Sequence, residues 1–301
     1  MHLPCPNNSC SNFQFNHAVI KIGFYFRRDT SEKLRRFKCL KCNRSFSAST
    51  TTLEYRQKKR RINFPLNKLI CMGLSQRATA RFFNVSKITV VRKIKYLALK
   101  SRREHQLFLQ QLSVHKINQV QIDDLITCEH TRLKPLTVTL AIEKKTRIIL
   151  SNKVGRIPAF GPLAKISFKK YGWRENEQRK TLEKVFEDLS LIIKNDAKIE
   201  SDMHLEYARF VKRYFKQAKH VRFKSMRAKT SCVAGQGELK TRSRDPLFKI
   251  NHTLAMLRAN LSRLFRRSWN LSKTVEGLQD HLDIYTHYHN QGILQKTSLF
   301  N

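Results

Sequence analysis

The 301 residues carry 60 Lys and Arg against 22 Asp and Glu, a formal charge of +38 with a pI near 10.4. With 41% hydrophobic residues the chain has enough apolar material for a sizeable core, which excludes global disorder. The excess of cations points to a polyanion partner, DNA or RNA before anionic membrane, because no basic amphipathic helix with a broad aromatic face is legible. The start of the chain has no apolar signal-peptide core. No apolar run approaches the ~20 residues that span a bilayer. The expectation is a reducing, cytoplasmic and nucleoid-associated setting, in which the seven cysteines are metal ligands or free thiols.

The acids are unevenly placed. Only Asp29, Glu32, Glu54 and Glu104 precede position 120, and the other eighteen follow it. The first part therefore reads as a binding region. Within it, Cys5-x4-Cys10 and Cys39-x2-Cys42 are two close pairs about thirty residues apart, the supply for one tetrahedral four-thiolate site. Between them, Gly23–Arg27 and Leu34–Lys38 read as a hairpin around Asp29-Thr30-Ser31. Residues 1–50 thus have a zinc-ribbon layout. Cys71, Cys128 and Cys232 have no paired partner in sequence. Residues 51–61 form a basic linker.

Residues 62–99 read as helices. Ser75 and Ser86 stand where N-caps belong. The stretch LSQRATARFFNVSKITVVRKI resembles a helix-turn-helix, in which the second helix carries Lys87, Thr89, Arg92 and Lys93 towards a DNA major groove. A helical connector follows to 118, closing a region 51–118.

From 119 the period changes. Apolar runs at 119–127, 135–142 and 147–154 read as an antiparallel meander. A Gly- and Pro-rich loop or broken helix (155–175), a helix (177–194), a strand (197–202), a helix (205–215), a short strand (220–225) and a long helix (246–267) come next. That is the RNase H-like order: an α/β domain over 119–270 with a mixed five-stranded sheet and flanking helices, followed by a helical tail, 271–301. Trp269, Tyr285 and Tyr288 read as packing residues. Asp123 lies in the first strand and Asp202 closes the fourth. Buried strands carry carboxylates when these are paired or hold a metal. Hard oxygen donors select Mg²⁺ or Mn²⁺, and two such ions serve phosphoryl transfer.

The segments VQIDDLITCEHTRLKPLTVTLAIEKKTRIIL, IESDMHLEY, GQGELK and DPLFKINHTLAMLRANLSRLFRRSWNLSKT, and with them nearly the whole chain, resemble bacterial insertion-sequence transposases of the DDE type with an N-terminal zinc ribbon and helix-turn-helix. The resemblance implies binding of the element's double-stranded DNA ends, metal-dependent strand cleavage and strand transfer, and a homodimer or higher oligomer on DNA. It implies Asp123, before its neighbour Asp124, and Asp202 as metal ligands. The family's third ligand sits early on the last core helix, with a basic residue seven positions on. Counting back from Arg258 gives Asn251, and Glu238 in GQGELK is the rival. Arg258, Arg263 and Arg266 would touch the DNA backbone. The alternative is a catalytically inactive DNA-binding protein derived from a transposase. That protein would share the cysteines and the helix-turn-helix but would have no use for the carboxylates.

Overall fold

The computed structural model describes residues 3–15, 17–224, 245–265 and 268–297. Cys232, Glu238 and Arg266 lie outside them. The chain divides into two compact units, Met1–Leu66 and Asn67–Asn301.

The first unit is built on a hairpin of β1 (Val19–Arg27) and β2 (Glu32–Cys39), with β3 (Ser45–Ser47) added on the β2 edge. Its small core comprises Cys5, Val19, Phe37, Cys39 and Phe46. Five buried side chains are too few to hold a fold of this size unaided. Gly23, at φ 111°, sits in a bulge where the β1–β2 register shifts by one residue. Positive φ is nearly free for glycine alone.

The second unit begins within α1 (Asn63–Cys71), which ends at Gly73 with φ 86°. In α2 (Gln76–Phe82) the Ser75 hydroxyl accepts the Ala78 N–H, and in α3 (Lys87–His115) the Ser86 hydroxyl accepts the Thr89 N–H. Both caps stand where the sequence puts them. The connector expected after 99 is the continuation of α3, one helix of 29 residues.

The sheet of this unit contains β4 (Ile117–Cys128), β5 (Pro135–Glu143), β6 (Ile149–Arg156), β7 (Ile193–Asp202) and β8 (Lys219–Phe223) in the order β6-β5-β4-β7-β8. The β6-β5-β4 part is antiparallel, and β7 and β8 run parallel to β4. This α/β arrangement is compatible with an RNase H-like architecture. Helices α5 (Gln178–Ser190) and α6 (Leu205–Tyr214) cover one face: Leu182, Val185, Phe186, Tyr207, Phe210 and Val211 pack with Val120, Ile122 and Ile199. The helix α7 (Phe248–Asn260) packs on β4, and α8 (Val275–Thr297) lies along β6 and α3.

One segment settles an alternative left open by the sequence, the loop or broken helix of 155–175, and one differs from the sequence reading. Residues 155–175 contain a helix, α4 (Leu163–Tyr171), framed by Pro162 at its start and Gly172, φ 73°, at its end. The same Gly and Pro that suggest a loop are its start and stop signals. The last core helix ends at Asn260 and breaks into a 3-10 turn, Ser262–Leu264. Trp269 is 91% exposed, so it does not pack as expected, whereas Tyr285 is buried and its hydroxyl accepts from Asn260. No described helix is long and apolar enough to cross a membrane.

The outer edge of β6 would present unpaired backbone groups, and α8 closes it with side-chain amides. Asn290 accepts the Ile149 N–H (2.9 Å) and donates to the Ile149 carbonyl (2.9 Å). Gln279 accepts the Val154 N–H (3.0 Å) and donates to the Asn152 side chain (2.8 Å). An open strand edge invites pairing with another chain. Asn290 is 3% exposed, so Asn290→Ala leaves two buried backbone groups unmade. The expected cost is about 2–3 kcal/mol with added aggregation on heating. Thermal melts showing Asn290→Ala within about 1 °C of wild type would contradict it.

Candidate metal and carboxylate sites

In the first unit the four thiols of Cys5, Cys10, Cys39 and Cys42 lie within 4.8 Å of one another. The Cys5–Cys42 and Cys10–Cys39 sulfur distances are 3.7 and 3.8 Å. A tetrahedron of sulfurs at the ~2.3 Å zinc bond length has edges of roughly 3.8 Å, whereas a disulfide needs ~2.05 Å. The spacing therefore fits a shared metal ion. Asn43, at φ 55°, makes the tight turn after Cys42. The backbone N–H of Asn12 points at the Cys10 sulfur (3.4 Å), and the Asn12 amide donates to that of Cys39. Burial opposes ionisation of Cys39, but the N–H groups of Cys42 and Lys41 together with the thiols of Cys5 and Cys42 bring its pKa down to about 6, whereas burial pushes that of Cys5 up to about 12. Such donors stabilise thiolate, the form that binds metal. Among the described residues no other group of three or more ligand-bearing side chains converges as closely.

In the second unit, acids sit on β4 and β7, neighbouring strands within the sheet. The β4–β7 register pairs Gln119 with Lys198 and Gln121 with Glu200. Continued by two residues, it sets Asp123 beside Asp202 on adjacent parallel strands. Side chains alternate along a strand, so Gln121 and Asp123 face α7 while Ile122 and Asp124 face α5 and α6.

Asp124 is engaged by its own neighbours. It accepts from the Thr139 hydroxyl and from Gln178 Nε2 at 2.9 Å. Among the described residues Asp123 has a single hydrogen-bond donor, the Asp124 N–H at 2.8 Å. Burial pushes the Asp123 pKa up to about 7; the Asp124 N–H opposes this, and the charges of Asp202, Asp124 and Asp245 reinforce it. Asp202 ends β7 and accepts the His204 N–H (2.9 Å) at the entrance to α6. Tyr207 lies behind these acids. Burial, with the charges of Asp124, Asp123 and Asp202, holds its phenol well into the protonated range.

The start of α7 is fastened over this site by Gln121, which is fully buried. Its Nε2 donates to Glu200 (2.8 Å) and to the Pro246 carbonyl (2.9 Å), and its Oε1 accepts the Ile250 N–H (3.0 Å). Glu200, 1% exposed, also receives Lys144 and Lys198, each at 2.7 Å. Burial works against its charge, yet these bonds hold its pKa below the ordinary range. Gln121 and Glu200 are absent from the sequence-level site, as is Asp245. Their role depends on a contact across 129 residues, between Gln121 and Ile250, that no local motif encodes.

Asn251 lies on the first turn of α7 and donates to Asp245 Oδ2 at 2.9 Å, while Asp245 Oδ1 accepts the Leu247 N–H at 3.0 Å. The fold thus carries Asn251 and an unanticipated acid, Asp245, to the neighbourhood of Asp123. His252 on the same helix meets Arg147 at 2.8 Å, and burial with Arg147 and Lys249 lowers its pKa. Arg258 and Arg263 are half-buried; burial lowers the pKa of Arg263.

On α3, Lys87 and Arg92 are exposed, and Thr89 bonds the Ser86 hydroxyl at 2.9 Å as part of the cap. Lys93 is only 4% exposed and does not join that cationic face. It falls within the Val90, Ile94, Leu97 stripe that packs inward. Arg77, Arg81 and Lys95 are exposed cations of the same helical pair. No protein-family model matches the chain, and no curated protein matches it.

Proposed function

We propose that this chain is an insertion-sequence transposase of the DDE type, which binds its element's double-stranded DNA ends and catalyses metal-dependent strand cleavage and strand transfer. The observation that carries the reading is the register that sets Asp123 beside Asp202 at the centre of a β6-β5-β4-β7-β8 sheet, under the start of α7. In a chain of charge +38, an acidic focus at that point has a use if it holds cations against a polyanion.

The donor set fits hard divalent ions. Asp123, Asp202 and Asp245 offer carboxylate oxygens, and Asn251 an amide oxygen, the ligand type Mg²⁺ and Mn²⁺ prefer. Bound there, such ions would activate the attacking oxygen and stabilise the leaving one. Asp123 and Asp202 form the strand side of the site. Asp245 and Asn251 form the helix side, with the Asn251 amide fixing the orientation of Asp245. Gln178 and Thr139 tie Asp124 away from them. Exposed Lys87 and Arg92, with Arg77, Arg81 and Lys95 nearby, supply DNA contact in the helix-turn-helix.

Strand cleavage of element-end DNA with Mg²⁺ tests the reading. Asp202→Ala should lose cleavage by on the order of a thousandfold while holding DNA as tightly as wild type. A cleaving Asp202→Ala protein would refute the assignment.

The four cysteines are the zinc site of this reading, with one Zn²⁺ per chain. A core of five side chains leaves the metal to supply most of the folding energy of the first unit. Chelation or Cys39→Ser should therefore unfold the β1–β2 hairpin, seen as loss of amide-exchange protection in 19–39 with the second unit unchanged. A protected hairpin in zinc-free protein would count against it.

A further inference from the structure

The hairpin of the first unit has an outer surface that the metal cluster does not use. Phe24 and Phe26 are 45% and 63% exposed, in a strand that also exposes Ile20, Ile22 and Tyr25. Large exposed aromatics in adjacent positions call for a partner. The register pairs Phe24 with Arg35 and Phe26 with Lys33. Opposite residues of an antiparallel pair share a face, so the two rings and two cations form one patch. The Arg35 guanidinium stands 3.9 Å and the Lys33 ammonium 4.9 Å from the Phe24 ring centroid. The bulge at Gly23 sets this arrangement. Were the Lys21–Phe37 register to continue without the bulge, position 23 would face Arg35 and the rings would turn to the other side.

Charge identifies the partner. From Val19 to Cys39 there are seven Lys and Arg (21, 27, 28, 33, 35, 36, 38) and two acids, Asp29 and Glu32. Glu32 is bonded to Arg27 at 3.0 Å, and with that pair cancelled six cations face one acid. A duplex hides its base faces inside the stack and offers an exposed phenyl ring nothing to stack on. Single-stranded nucleic acid offers both a base face and a phosphate at each nucleotide. We infer that the Phe24–Phe26 face of the hairpin is a binding site for single-stranded DNA, with bases stacked on the rings and the backbone held by Arg35 and Lys33. The inference does not rest on the carboxylates of the second unit.

The test uses the zinc-loaded full chain with a thymidine oligonucleotide of about twenty nucleotides and a duplex of the same length. Phe24→Ala/Phe26→Ala should weaken single-strand binding by roughly tenfold to a hundredfold, with duplex affinity changed less than about twofold. Phe24→Leu/Phe26→Leu keeps apolar bulk without a stacking face and should show the same selective loss. Equal losses for both DNAs, or no loss for the single strand, overturn the inference. So does a loss confined to anionic-vesicle binding, which would assign the face to lipid. If either variant fails to retain zinc, photocrosslinking of wild type to an iodouracil oligonucleotide decides the matter. Adducts on Phe24 or Phe26 sustain the site, and adducts only elsewhere remove it.

Discussion

Asp123→Asn should give a protein that no longer cleaves DNA yet, without divalent metal, is more stable than wild type at pH 8. The two effects share one cause. An unfolded Asp titrates near 3.9, and in the fold Asp123 titrates at about 7. Between these values the folded state holds a proton that the unfolded state has released, so metal-free stability falls as pH rises from ~4 to ~7 and stays low above. A gap of about three pH units between unfolded and folded titration corresponds to at most about 4 kcal/mol, and about 2–4 kcal/mol is expected to return in the amide variant. Below about pH 4 the two proteins should melt alike. Mg²⁺ should stabilise wild type at pH 8 by binding the ionised site, and should do little for the variant. Melts across pH 4 to 8, with and without Mg²⁺, measure all of this. Parallel wild-type and Asp123→Asn curves would show that Asp123 bears no buried charge.

The pairing of site and stability was legible in outline from the chain. Apolar runs with internal acids located β4 and β7, and the caps Ser75 and Ser86 were written in residue type. Lys93 shows where attention to residue type alone misleads. Three residues after Val90 and four before Leu97, it lies on the inward stripe, and periodicity outranks charge there. The sequence leaves helix α4 undecided against a loop because Pro162 and Gly172 punctuate both loops and short helices. Asp245 was hidden for a different reason. Nothing in its neighbourhood marks it, and it reaches the acidic site because a glutamine far away in sequence docks the helix behind it. The amides of Asn290 and Gln279 were equally invisible, because a helix that seals a sheet edge does so through tertiary register and has no local pattern.

The docking glutamine yields the largest expected loss of stability, in Gln121→Leu. Leucine is close to glutamine in volume, so the change creates little cavity and isolates the hydrogen bonds. Both amide hydrogens and the carbonyl of Gln121 are in use, and its side chain is fully buried. The variant leaves the Ile250 N–H, the Pro246 carbonyl and one Glu200 oxygen without that partner. Ile250 is the third residue of α7, whose first-turn N–H groups have no acceptor within the helix. Buried groups stripped in this way cost about 1–3 kcal/mol each, and more where one is charged, so about 3–5 kcal/mol is expected in total. Amide exchange should quicken first in 248–252. The proposed cleavage should fall as well, although Gln121 is fully buried, because Asp245 and Asn251 ride on that turn. Gln121→Glu separates latch from bulk. Its carboxylate still accepts the Ile250 N–H but faces Glu200 across 2.8 Å where a donor stood. At pH 8 it should be as unstable as the leucine variant, and near pH 5 a shared proton should restore much of the loss. A Gln121→Leu protein with wild-type melting and unhurried exchange at Ile250 would mean that α7 is held by its apolar face alone, and that Asp245 reaches Asp123 without this latch.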